Sequence, residues 1–166
     1  FSSDGRLLSE AGIQSPYIGG FNDTIEFDAN GGLIVCTAPS EDYTVEQITR
    51  FDAENRVLYQ KTLSAPKTIV SVTDAFPSAD GSVTLYGTAM ANSRKLFTLY
   101  RLDLDAQGNI AAVDIRDFTT RVGYLYDVRA DAQGHIYAIA CDYKKPIAVV
   151  PFEDLPAHDD PGLILE

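Results

Sequence analysis

Five oxygen-bearing residues, Asp103, Asp105, Gln107, Asn109 and Asp114, stand at a spacing that imitates the ligand positions of a calcium-binding loop. A hard cation needs several carboxylate and amide oxygens converging from one short segment, and Asp103-Leu-Asp105-Ala-Gln107-Gly108-Asn109 supplies the start of such a set. The set then departs from the pattern. Asp114 occupies the place of a bidentate glutamate, Gln107 weakens the middle, and alternating apolar residues flank the loop where helices belong. A plain turn is the stronger reading, because Asp52 to Asn55 and Asp131 to Gly134 repeat the turn without the ligands. The sequence therefore predicts no metal and no cofactor.

Other chemistries lack parts. His135 and His158 are the only 2 histidines, and neither sits in a GxSxG motif or a Cys/His cluster that would arm a nucleophile or hold a metal. Cys36 and Cys141 lie in apolar patterns without a CxxC spacing, which predicts buried free thiols. The 24 acidic residues leave room for a carboxylate pair that cleaves glycosidic bonds, yet none is singled out. Aromatics are the better candidates for binding. Tyr17, Tyr43, Tyr124, Tyr126 and Tyr143 fall near loops or strand ends, where a rigid apolar face with a polar tip can meet a glycan or a protein. Packing between sheets is the competing role for most of them.

The elements that must position these residues are strands. Asp28 to Gly32, Asp80-Gly81 and Asp131 to Gly134 each make a turn and lead into a run of β-branched, aliphatic or aromatic residues, Leu33 to Cys36, Val83 to Tyr86 and Ile136 to Ile139. Strands precede these turns at Thr24 to Phe27, Val70 to Phe76 and Tyr124 to Arg129, and third strands run from Val45 to Asp52, Leu96 to Asp103 and Ile147 to Glu153. Two units continue into a fourth strand, from Val57 and from Ile110. The endings Arg50-Phe51-Asp52, Arg101-Leu102-Asp103 and Pro151-Phe152-Glu153 mark a repeat of about fifty residues. No stretch keeps helical periodicity for three turns.

The expected fold is all-β: about three four-stranded antiparallel propeller-like blades forming a single domain over 1–166. The repeats cover about 21–63, 69–118 and 123–153. Residues 4–10 read as an orphan fourth strand, Ser9 to Gly20 as a linker, and 154–166 as a tail too rich in proline and aspartate to enter a ladder. The third blade is incomplete unless the N-terminal strand or a partner chain completes it. Pro151 suits an edge, since it removes a ladder donor.

With its Asp/Gly-turned strands the chain resembles the bacterial propeller repeats of the NHL, quinoprotein-type and YVTN families, and the propeller-like region of secreted bacterial lipoproteins. The likeness covers nearly the whole chain and carries over no site residues. Closed propellers use four to eight blades, so a homodimer or a longer repeat chain is expected to complete the ring.

Composition narrows the partners. A formal charge of -11 repels phosphate backbones and anionic headgroups, which argues against nucleic acid, and no apolar run is long enough for a transmembrane helix. Phe1 in place of an initiating Met points to a processed or engineered form and to a secreted or surface-anchored, extracytoplasmic location. These features favour a non-catalytic module that binds a protein or a carbohydrate. A propeller-type glycan hydrolase or lyase acting through carboxylates is the alternative, and a structural spacer or assembly unit is the third.

Overall fold

A computed structural model describes residues 24–39, 44–91, 97–118, 124–142, 145–160 and 162–166, and the described chain is all-β. The first unit contains β1 (Thr24–Phe27), β2 (Leu33–Thr37), β3 (Val45–Phe51) and β4 (Val57–Ser64). β5 (Thr68–Pro77), β6 (Val83–Ala91), β7 (Phe97–Leu104) and β8 (Ile110–Asp117) form the second, and β9 (Tyr124–Ala130), β10 (Ile136–Asp142) and β11 (Lys145–Pro151) the third. A 3-10 turn at Phe152–Asp154 and a short β12 (Ile164–Leu165) follow. Each unit is one antiparallel sheet, and β12 joins the outer edge of the first, beyond β4.

One turn chemistry recurs in the turns that begin at Asp28, Asp52, Asp105 and Asp131, whereas the turn expected to start at Asp80 begins at Ser78 and Asp80 accepts from the Ser82 N–H. The Asp28 carboxylate accepts the N–H groups of Asn30 and Gly32, both at 2.8 Å. Asp52, Asp105 and Asp131 cap their own turns in the same way. The fourth turn residue must enter the left-handed region, as Gly108 does at φ 78° and Asn55 at φ 62°. Satisfying these backbone donors locally lets each hairpin close without help from the rest of the fold.

Two cores lie between the sheets. Ile34, Ile48 and Leu63 of the first sheet pack with Val72, Leu85, Tyr100 and Leu102 of the second. Tyr86 and Leu99 of the second meet Val128, Phe152 and Leu155. Each such side chain contributes roughly 1.5–3 kcal/mol on burial, so the two interfaces, more than any one hairpin, hold the units together. Phe76, Tyr86 and Phe152 form an edge-to-face ladder across the second interface, with centroids 5.7 and 5.3 Å apart.

The register corrects the repeat. Ile34 pairs with Arg50 in the first sheet and Thr84 pairs with Asp103 in the second, both counted from the same hairpin turn. The equivalent of Arg50-Phe51-Asp52 is therefore Asp103-Leu104-Asp105, two residues beyond Arg101-Leu102-Asp103. A slip of two leaves every side chain on its original face, so alternation alone conceals it. Pro151 pairs with Tyr137 and does occupy the Arg50 position, on the edge strand of the third sheet.

Two further expectations change. The strand expected over Ile147 to Glu153 ends at Pro151, after which the chain takes a 3-10 turn. The tail also does more than trail in solvent. Phe152 and Leu155 are buried in the second core, Asp117 and His158 donate backbone N–H groups to Pro156 and Ile115 respectively, and Ala157 bridges Arg116. Glu166 exchanges two backbone hydrogen bonds with Thr62. The segment after β11 thus straps the outer edges of the second and first sheets. The edges attract it because their unpaired N–H and C=O groups need partners, a demand that outweighs its prolines. Cys36 is a buried free thiol as expected, whereas the Cys141 side chain, the expected strand at 4–10 and the linker lie outside the described residues.

Candidate functional site

Each sheet contributes its first strand to a common junction, where β1 contacts β5 and β5 contacts β9. All three are edge strands of their sheets. The Thr24 hydroxyl donates to the Val72 carbonyl at 3.2 Å and ties the first pair. β5 and β9 each carry a bulge, one between Val72 and Asp74 and one between Leu125 and Asp127. A bulge re-aims the residue that follows it. Here the re-aimed residues are Asp74 and Asp127, and each carboxylate accepts the next N–H in its own strand at 2.9 Å.

Arg129 joins these carboxylates. Its guanidinium lies 2.7 Å from Asp74 Oδ2 and 2.9 Å from Asp127 Oδ2. The Asp74 side chain is only 5% exposed, against 60% for Arg129, so the pair runs from the interior out to solvent. Burial pushes the Asp74 carboxyl above the usual carboxylate range, and the charges of Glu26 and Asp127 add to this, while the Ala75 N–H and Arg129 oppose it. Around this pair opens a cleft of about 380 Å3, lined by Glu26, Phe27, Asp74, Phe76, Pro77 and Arg129 among others. Phe27 stands 70% exposed at its side, an unusual position for a phenylalanine.

Chemically, the cleft offers hydrogen-bond acceptors on Glu26 and Asp74, a forked donor on Arg129, and apolar surface on Phe27, Phe76 and Pro77. A few converging polar groups against apolar walls are the usual makeup of a small-ligand site.

The residues singled out from sequence fall elsewhere. Tyr17, Tyr43 and Tyr143 lie outside the described residues, and Tyr124 and Tyr126 are placed in β9 with their side chains outside them. The calcium-like set is occupied internally. Asp103 accepts from Thr84 and Arg101, Asp105 from the Gln107 and Asn109 amides, and Asp114 from Arg116. No three His, Cys, Asp or Glu side chains among the described residues gather as metal ligands. His135 bonds Asp131 through Nδ1 at 2.9 Å, and His158 Nδ1 faces the carbonyl of Asp159.

Glu26, Asp74, Asp127 and Arg129 were not singled out from the sequence. A signal existed: aspartate is depleted in strands, yet Asp74 and Asp127 each interrupt the apolar first strand of a sheet at the same place before its hairpin turn.

No family model, curated protein or solved structure matches the chain. The site is therefore read from its own geometry.

Proposed function

We propose that this is a non-catalytic, extracytoplasmic propeller-like repeat module that binds carbohydrate in the cleft where β1, β5 and β9 meet. The observation that carries the reading is the Arg129 fork across Asp74 and Asp127 beside the exposed ring of Phe27. A sugar presents both an apolar C–H face and a rim of hydroxyls, so an aromatic platform beside fixed acceptors and donors matches it on both counts. The blade-like reading is supported by three sheets in chain order whose first strands adjoin. In that reading, further repeats or a second copy complete the ring. Light scattering that finds a folded monomer would remove the second copy. Probing a glycan array with the whole chain tests the ligand class. Selective binding to neutral or basic glycans is expected, given the -11 charge, and a blank array would reject the reading.

A second reading has its own support. A buried carboxyl raised above its usual range beside two further carboxylates is also how a glycoside hydrolase or lyase keeps an acid protonated. Turnover of a glycan bound on the array, lost in Asp74→Asn, would favour that class over simple binding.

A further inference from the structure

The fold builds the space between consecutive sheets twice, and the two versions differ. At the first junction it is filled. Arg50 is buried against Asp28 with side chains 3% and 7% exposed, and Tyr59, opposite Arg50 in the ladder, is 8% exposed. The Tyr59 ring lies against Gly108 of the next unit's turn, so closely that a Cβ there would come within 2.8 Å of it. Burial raises the Tyr59 hydroxyl to about 12.

At the second junction the corresponding positions carry smaller groups. Thr84 replaces Ile34, Asp103 replaces Arg50, and Ala112, opposite Asp103, replaces Tyr59. The following unit also lacks the turn that closes over the ring, because the 3-10 turn at Phe152–Asp154 stands in its place. Gly134 of that unit then faces open space, with nothing within 4 Å of where a Cβ would sit. Beside these positions opens a groove of about 300 Å3 bounded by Phe76, Thr84, Tyr86, Arg101, Ile136 and Glu153, which adjoins the junction cleft at the shared Phe76 and Ala130.

We propose that this groove is a docking site for a tyrosine side chain of a partner protein, seated as Tyr59 is seated one junction earlier. Three features fit a phenol. Phe76 and Tyr86, which line the groove, belong to the edge-to-face ladder that runs on to Phe152, and a further ring extends it. Arg101, 43% exposed and held to Asp103 at 3.0 Å, stands at the mouth where a cation meets a ring face. Glu153 on the opposite wall accepts a hydroxyl. A preformed slot with a rigid aromatic anchor is the usual form of an interface hot spot.

The test is an amide NMR titration of the whole chain with N-acetyl-tyrosinamide. Saturable shifts are expected at Thr84, Gly134 and Ile136, with a Kd on the order of 1 mM, and N-acetyl-leucinamide should leave those amides in place. Ile136→Phe crowds the groove from one of its walls and should weaken binding at least about tenfold. Thr84→Ile narrows it from the other wall and serves if the first variant fails to fold. Absent shifts, equal shifts with the leucine compound, or unchanged affinity in a folded filled variant would each overturn the proposal.

Discussion

Gly87→Ala should be among the most damaging small substitutions in the chain. Gly87 sits in β6 between β5 and β7, and a Cβ there would overlap both the Ser71 carbonyl oxygen and the Tyr100 hydroxyl. Tyr100 is fully buried and donates to that carbonyl at 3.0 Å across the glycine. The methyl group forces two losses. Overpacking a tight core costs about 1–3 kcal/mol, and displacing the buried Tyr100 hydroxyl from the Ser71 carbonyl costs about 1–3 kcal/mol more. Together these amount to roughly 2–6 kcal/mol with the backbone held in place. Tyr100→Phe alone removes the hydrogen bond and should cost about 1 kcal/mol. In the double variant there is no hydrogen bond left to displace, so the combined loss should fall short of the sum by about 1 kcal/mol, the clashes with the Ser71 carbonyl and with the ring carbon Cζ at position 100 remaining. Urea unfolding of the four proteins reads this out as midpoint shifts at constant slope. A Gly87→Ala midpoint equal to wild type, or strict additivity in the cycle, would refute the packing argument.

Arg50→Ala leaves the Asp28 carboxylate buried without its cation and should cost about 3–5 kcal/mol, whereas Asp28→Asn with Arg50→Met should recover much of it, both measured by urea unfolding. His135 should titrate above its ordinary 6.5 because it bonds Asp131, so its share of stability is complete below 6.5 and disappears as pH rises through the folded value. NMR titration checks this, and Asp131→Asn should return the value towards normal. The Arg56 amide holds the Asp52 carboxyl low and the Asn109 amide does the same for Asp105, so their contributions persist above 3.8 and are lost as pH falls through the lower folded values. Asp74 acts in the opposite sense, its raised carboxyl favouring the fold as pH falls. Asp105→Asn should accordingly blunt the acid limb of a thermal stability profile. Leu155→Ala should destabilise by about 2–5 kcal/mol if the tail belongs to the second core. A change under about 0.5 kcal/mol would show the strap to be detached.

The turns were the most legible part of the sequence. Asp28, Asp52, Asp105 and Asp131 declare themselves because the carboxylate that caps each turn and the residue that takes positive φ are close neighbours in the chain. Strand faces were legible for the same local reason. The tail was hidden because Leu155, Leu163 and Leu165 find their partners across sheets, and nothing in their neighbourhood announces a distant edge strand. The junction was hidden more deeply. Its residues come from three units, and two bulges turn Asp74 and Asp127 into place. A side chain's direction after a bulge depends on pairing partners that local alternation cannot name.

The claim that the junction of β1, β5 and β9 is the ligand site is tested most directly by calorimetric titration of an array-selected oligosaccharide into wild type, Phe27→Ala and Arg129→Ala. Binding should weaken at least about tenfold in each variant, with the melting temperature little changed in Phe27→Ala, whose ring is 70% exposed, and lowered in Arg129→Ala, which leaves the buried Asp74 carboxyl without its cation. Affinity unchanged in both folded variants would place the ligand elsewhere and contradict the account.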